Sequence, residues 1–216
     1  MLIVDGNLAA TAHNLQTHQL LYRSELAAHL VVTTTNVPLA VIFYELFKVV
    51  NRRLALLDAC FILDATAIEA AGLLNQFTPL VLLGDRPYAS ALSPSQLQAL
   101  ASLPGDLASS DYTLHTVFFG LDILVFAYLV LRSTFLPRSI GVLLAIDGLA
   151  YLCYSFTDIL APQAAAHLVP WIQLPALVGE GALCLWLLVV GLDVDRWNQQ
   201  ASAALQLQSA QLEALP

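Results

Sequence analysis

Two pairs of residues carry the sharpest chemistry in this chain of 216 residues. Glu25 and His29 stand at i, i+4, and Asp111 and His115 repeat that spacing. On a helix each pair brings a carboxylate and an imidazole onto one face, one turn apart. Each pair opens an apolar run and Asp158 lies near the end of a later one, so all five are expected at similar depth. Two imidazoles with two or three carboxylates form a ligand set for Zn or a related divalent ion, with an open position for an activated water. The two histidines could instead ligate a haem iron axially. A metal-dependent membrane hydrolase is the enzyme such a site would make, although no H-E-x-x-H, nucleophile elbow or Gly-rich phosphate loop accompanies it. No cofactor is called for by any other feature.

A second set of ionisable residues lies inside the apolar runs. Asp58 and Glu69 are 11 residues apart, about 20° from a common helix face, while Asp64 points elsewhere. His115 and Asp122 share a face at i, i+7, and Asp147, Tyr151, Tyr154 and Asp158 follow i, i+4, i+7, i+11. Gln173, Glu180 and Cys184 form a further stripe. An acid at mid-bilayer costs about 2.5–3.5 kcal/mol, so each should face the interior with a partner or a purpose. Every Lys and Arg falls in a loop or at the end of a run, which leaves the acids almost no internal cation. They must be protonated, hydrated or metal-bound. Three readings follow: interhelical hydrogen bonds between neutral acids and tyrosines, a hydrated cavity for a polar solute, or a transport or proton route through Asp58, Glu69, Asp122, Asp147, Asp158 and Glu180.

The elements that must hold these residues are apolar. Hydrophobic residues make up 58% of the chain and charged ones 11%, against about half and a quarter in a soluble domain. That excludes a soluble globule, a disordered chain and a coiled coil. With a net charge of −8 and eight basic residues that never form a phosphate-binding stripe along the sequence, it also excludes a nucleic-acid binder. Spanning a bilayer takes about 20 apolar residues, and five such runs are expected: Leu26 to Val50, Leu54 to about Leu83, Thr113 to Leu131, Ser139 to Ala161, and Val169 to Leu192. The fold class is therefore all-α, a polytopic transmembrane helix bundle with five spans. The second run, with its acids and Pro79, is expected as a shorter helix followed by a kinked or re-entrant piece.

Basic residues in short loops stay cytoplasmic. Lys48, Arg52, Arg53, Arg132, Arg138 and Arg196 fall on one side of the five spans, and Arg23 and Arg86 on the other. The expected organisation is an external segment 1–25, a bundle 26–192 with an external loop 84–112, and a cytoplasmic tail 193–216. Tyr22, Tyr88, Tyr112, Trp171 and Trp197 read as interface anchors. An external start without a signal-like stretch before Leu26 points to a further span upstream of Met1. In the outer loop, Ser93-Pro94-Ser95-Gln96 is a capping box opening a short helix to about Leu103. The tail is either an amphipathic helix or a frayed end. Cys60, Cys153 and Cys184 read as small buried apolar side chains. Gly141, Ala145 and Gly148 permit close helix contact within the bundle.

Three strings carry a resemblance: VFFGLDILVFAYLVL (117–131), RSTFLPRSIGVLLAIDGLAYL (132–152) and LPALVGEGALCLWLLVVGL (174–192). With Asn51-Arg52-Arg53-Leu54 they resemble an uncharacterised bacterial family of six-helix integral membrane proteins, classed only as a domain of unknown function, over about Leu2 to Leu192. The resemblance implies one more hydrophobic helix at the start and a histidine where this chain has Asp122. It implies a fold and a membrane address and no established activity; with the orientation set by the basic residues, the expected location is the bacterial inner membrane, multi-pass with the N-terminus external and the C-terminus cytoplasmic. The expected partners are the lipid bilayer and other membrane subunits. The first functional reading is a binding or accessory subunit of a membrane complex without chemistry of its own; the hydrolase and the transport or proton route are its rivals.

Overall fold

The structure, a computed structural model, describes residues 7–82 and 92–213. Among these every element is a helix. They are α1 (Leu8–Thr17), α2 (Gln19–Asn75), α3 (Thr78–Leu82), α4 (Pro94–Arg132), α5 (Arg138–Leu160), α6 (Pro162–Val189) and α7 (Val194–Glu213). Four helical segments are long and apolar enough to cross a membrane: Gln19–Leu82, Ser95–Arg132, Arg138–Leu160 and Trp171–Val189.

The first of these is two helices joined at a break. Asn51 has extended backbone angles (φ −158°, ψ 106°), and its side-chain oxygen accepts the N–H groups of Arg53 and Leu54 at 3.1 Å each. Asn51 thus caps the helix that follows, satisfying donors that have no intrahelical acceptor. The break falls between the first two expected spans. The second half ends at Asn75 and gives way to the short α3 with Pro79 in its first turn, matching the expected shorter helix and kinked piece.

Several boundaries differ from the sequence expectation. Helix begins at Leu8, capped by the Asn7 side chain on the Ala10 N–H at 3.0 Å, so much of the expected external segment is helical. The capping box is present, with Ser93 N–H donating to Gln96 Oε1 (2.8 Å) and Gln96 N–H to Ser93 Oγ (3.3 Å). The helix it opens does not stop near Leu103 but runs through Pro104 to Arg132. A proline removes one backbone bond, whereas extending an established helix adds one per residue. α6 starts at Pro162, seven residues before the expected Val169, because proline suits the first helical position. The tail is helical as α7. Arg86 and Tyr88 lie outside the described residues.

The chain forms two compact units, Met1–Asn36 with Thr66–His115, and Val37–Ala65 with Thr116–Pro216. The first has a small core of Leu15, Tyr22, Leu26 and Leu73. Tyr22, expected as an interface anchor, is buried there, and its hydroxyl donates to the Gln76 carbonyl at 2.6 Å. A buried phenol takes the hydrogen bond that water would otherwise supply.

The second unit is built on aromatic packing and close backbone approach. Phe47 lies 5.0 Å from Phe126 and 5.5 Å from Phe135, ring centre to ring centre. A Cβ on Gly148 would sit 2.9 Å from the Gly120 carbonyl oxygen, and one on Gly141 would sit 2.7 Å from Leu131 Cγ. These glycines let α4 and α5 pack within one chain, as expected. Gly191, at φ +78°, turns the chain after α6, a conformation that glycine adopts without a Cβ clash. α7 then docks on its own unit: the Trp197 indole N–H donates to the Leu46 carbonyl at 2.9 Å, and Gln200 Oε1 accepts the Thr134 N–H at 3.0 Å. Trp197, expected as an interface anchor, serves as this docking residue.

Outward surfaces are apolar, with Leu177, Leu188, Val189 and Leu160 each more than 70% exposed. The three cysteines are free and exposed on α2, α5 and α6 rather than buried. Where the outside of a bundle is itself apolar, a small polarizable side chain gains nothing special by lying inside.

Candidate functional site

The structure redistributes the two expected residue sets. Glu25, His29, Asp111 and His115 belong to the first unit and Asp158 to the second. Among the described residues no three His, Cys, Asp or Glu side chains are grouped so as to hold a metal ion. His29 instead pairs with Glu69, its Nε2 2.8 Å from Glu69 Oε1. The Asn36 side-chain amide reaches the other Glu69 oxygen at 3.5 Å, and the Thr33 hydroxyl donates to the His29 carbonyl at 2.9 Å. Glu25 is exposed. Asp111 lies over Gly72, where a Cβ would come 2.8 Å from its carboxylate oxygen. Asn36 and Thr33 were not singled out from the sequence, although they follow His29 at i+7 and i+4, the spacing that marks a shared face.

The second unit gathers acids from four helical stretches. Asp58 of α2 faces Asp122 of α4, carboxyl to carboxyl. Asp147 of α5 lies beside Glu180 of α6 in the same way, and Glu180 is also a neighbour of Asp122. The Tyr151 hydroxyl lies 3.5 Å from Glu180 Oε1, and its ring meets Phe119 edge-on at 5.4 Å. Asp58 and Asp147 are fully buried and Asp122 is 4% exposed. Both oxygens of Asp58, both of Asp147 and Oδ1 of Asp122 receive no N–H or hydroxyl donor among the described residues. Their ionisable neighbours are one another. A hydrogen bond between two carboxyl groups uses a proton held between them, because two carboxylates that close repel.

A hydroxyl pair belongs to the same unit. The Ser155 hydroxyl lies 2.8 Å from the Tyr151 carbonyl and 2.7 Å from the Thr116 hydroxyl, so the two side chains share a hydrogen bond. Tyr154 is buried beside them in sequence. Neither Thr116 nor Ser155 stood out in the sequence, though Ser155 continues the Asp147–Tyr151 spacing by one turn. Asp64 lies off the Asp58 face, as expected, but is exposed rather than turned inward, and Cys184 is exposed while Glu180 turns inward, so the α6 stripe does not continue. Glu69 and Asp58, expected on a common face, serve different units.

Residues 1–191 match the model of a family described as a domain of unknown function. No curated protein and no solved structure matches.

Proposed function

The chain belongs to the DUF4386 family, and from that premise we propose that it is an integral membrane protein whose second unit takes up and releases a proton at the carboxyl cluster Asp58, Asp122, Asp147 and Glu180. The carrying observation is the set of five buried carboxyl oxygens that no amide, hydroxyl or cationic group serves among the described residues. Burying a carboxyl group without a donor costs free energy that packing alone would remove by substituting an apolar residue. A cluster of acids that face one another has a use for a mobile proton and none for a fixed salt bridge. The apolar outward surfaces and the four long apolar helices support the bilayer as surroundings. Orientation follows the charge asymmetry, with the ends bearing Arg52, Arg132 and Arg196 cytoplasmic. The hydrolase reading has weaker support, since its five residues do not form a group that could hold an ion.

The test is infrared difference spectroscopy of the full chain in lipid, following carboxyl C=O bands as pH is stepped. Asp58→Asn and Asp147→Asn are each expected to remove a titrating band while the protein stays folded. Identical spectra for wild type and both variants would overturn the proposal. In proteoliposomes carrying a pH dye, dissipation of an imposed gradient that is lost in both variants would extend proton binding to proton passage.

A further inference from the structure

The four arginines that flank the Asn51 break and the α4–α5 loop carry no ion pair among the described residues, and their placement points to a ligand. Arg52 and Arg53 follow the break, Arg132 ends α4 and Arg138 begins α5. Contacts within the second unit tie these points to one end. Phe47 stacks on Phe135 at 5.5 Å, Trp197 donates to the Leu46 carbonyl at 2.9 Å, and Gln200 Nε2 reaches the Arg132 carbonyl at 3.4 Å. The two other cations at this end are already paired, Lys48 with Glu45 and Arg196 with Asp193 at 3.1 Å. Arg52, Arg53, Arg132 and Arg138 are exposed, and no ion pair forms on any of them among the described residues. In a chain of net charge −8, this is a local surplus of positive charge.

A guanidinium presents a planar fork of donors that matches a phosphate in two places at once. Apolar surface continues directly from the arginines. Leu56 and Leu57 stand one turn beyond Arg53, Tyr128 one turn before Arg132 and Val142 one turn beyond Arg138, and all four are more than 40% exposed. A ligand with a phosphate head and long hydrocarbon tails satisfies both features: its head meets the arginines and its tails lie along the helix walls. A free phosphate would use only the first. We propose that this end of the second unit binds the headgroup of an anionic phospholipid, with Arg52, Arg53, Arg132 and Arg138 as the recognising residues. The inference rests on the membrane reading above and is independent of the proton site.

The test uses the full chain in nanodiscs of equal phosphatidylglycerol and phosphatidylcholine, with the lipids that stay bound after release counted by native mass spectrometry. Wild type is expected to retain phosphatidylglycerol preferentially, and the preference should fall about fivefold for each arginine changed to glutamine. Lys48→Gln, which removes a cation already paired, should leave it unchanged. Phosphatidylglycerol and phosphatidylcholine retained equally, or a preference that survives Arg52→Gln/Arg53→Gln/Arg132→Gln/Arg138→Gln, would overturn the proposal. Displacement of the lipid by millimolar inorganic phosphate would also overturn it, in favour of a soluble anion. Should the quadruple variant fail to enter nanodiscs, the two double variants Arg52→Gln/Arg53→Gln and Arg132→Gln/Arg138→Gln carry the measurement, each expected to lose part of the preference. Failure of wild type itself to enter nanodiscs would instead count against the membrane reading.

Discussion

His29 and Glu69 show how little of a site resides in single residues. The spacing of Glu25 and His29 invites a shared ligand, yet the imidazole reaches across to a residue 40 positions away. One helix face holds several acids within reach of a histidine, and only the packing of the neighbouring helix decides between them. The pair is partly exposed, with His29 at 36% and Glu69 at 17% side-chain exposure, so its coupling should be modest, about 1 kcal/mol. A double-mutant cycle of His29→Ala and Glu69→Gln, read from thermal unfolding in detergent, checks this; zero coupling would mean that the contact contributes nothing. The acids of the second unit predict the opposite sign. Replacing Asp58 and Asp122 together by leucine removes three buried carboxyl oxygens without donors among the described residues and should leave stability unchanged or raise it by about 1–4 kcal/mol, while abolishing their share of the infrared carboxyl signal. A double variant less stable than wild type by as much would show that the pair holds the unit together. The inward acids were legible in the sequence because each sits at helical spacing on an otherwise apolar run. Their partners were not, since pairing depends on helix register.

Helices were the most legible feature and their ends the least. The apolar runs located the helices long enough to cross a membrane, the polar stretch 51–53 separated the first two runs, and the capping box located the Ser93 cap, because it depends on residues within four positions. Pro104 and the start of α6 were misread for a common reason: a proline or a polar stretch weakens a helix by an amount that continuing hydrogen bonds and packing outweigh. Glycines give the sharpest test of how the helices meet. Gly148→Ala should cost about 1–3 kcal/mol, because the new methyl meets the Gly120 carbonyl and Leu124 Cγ at 2.9 Å. Gly181→Ala meets nothing within 4 Å and should stabilise α6 by about 0.5–1 kcal/mol through helix propensity. Thermal unfolding of the two variants side by side checks the contrast. Equal effects would mean that the approach of α4 to α5 is looser than the glycines indicate. Asn51→Ala removes both cap bonds and should cost about 1 kcal/mol by the same measurement.

Over the whole molecule, leucines and valines crowd the outward surfaces while two acids, Asp58 and Asp147, have zero exposure. This much was legible from composition, since a chain with so few charges cannot clothe itself in water-loving residues. The position of the cysteines was not, because composition does not say which side of a helix faces outward. Their exposure supplies a direct test of what the outside touches. A thiol reacts with maleimide as thiolate, which needs water. If lipid covers the outward surfaces, Cys60, Cys153 and Cys184, though exposed on their helices, should resist a membrane-impermeant maleimide in intact membranes. They should label once the protein is unfolded in sodium dodecyl sulfate. Single-cysteine variants resolve the three positions on α2, α5 and α6. Resistance at all three places hydrocarbon around those helices and gives the buried acids an apolar barrier to sit within. Rapid labelling at any one would put water on that helix, and the cost of burying Asp58 and Asp147 would then have to be borne without a membrane to account for it.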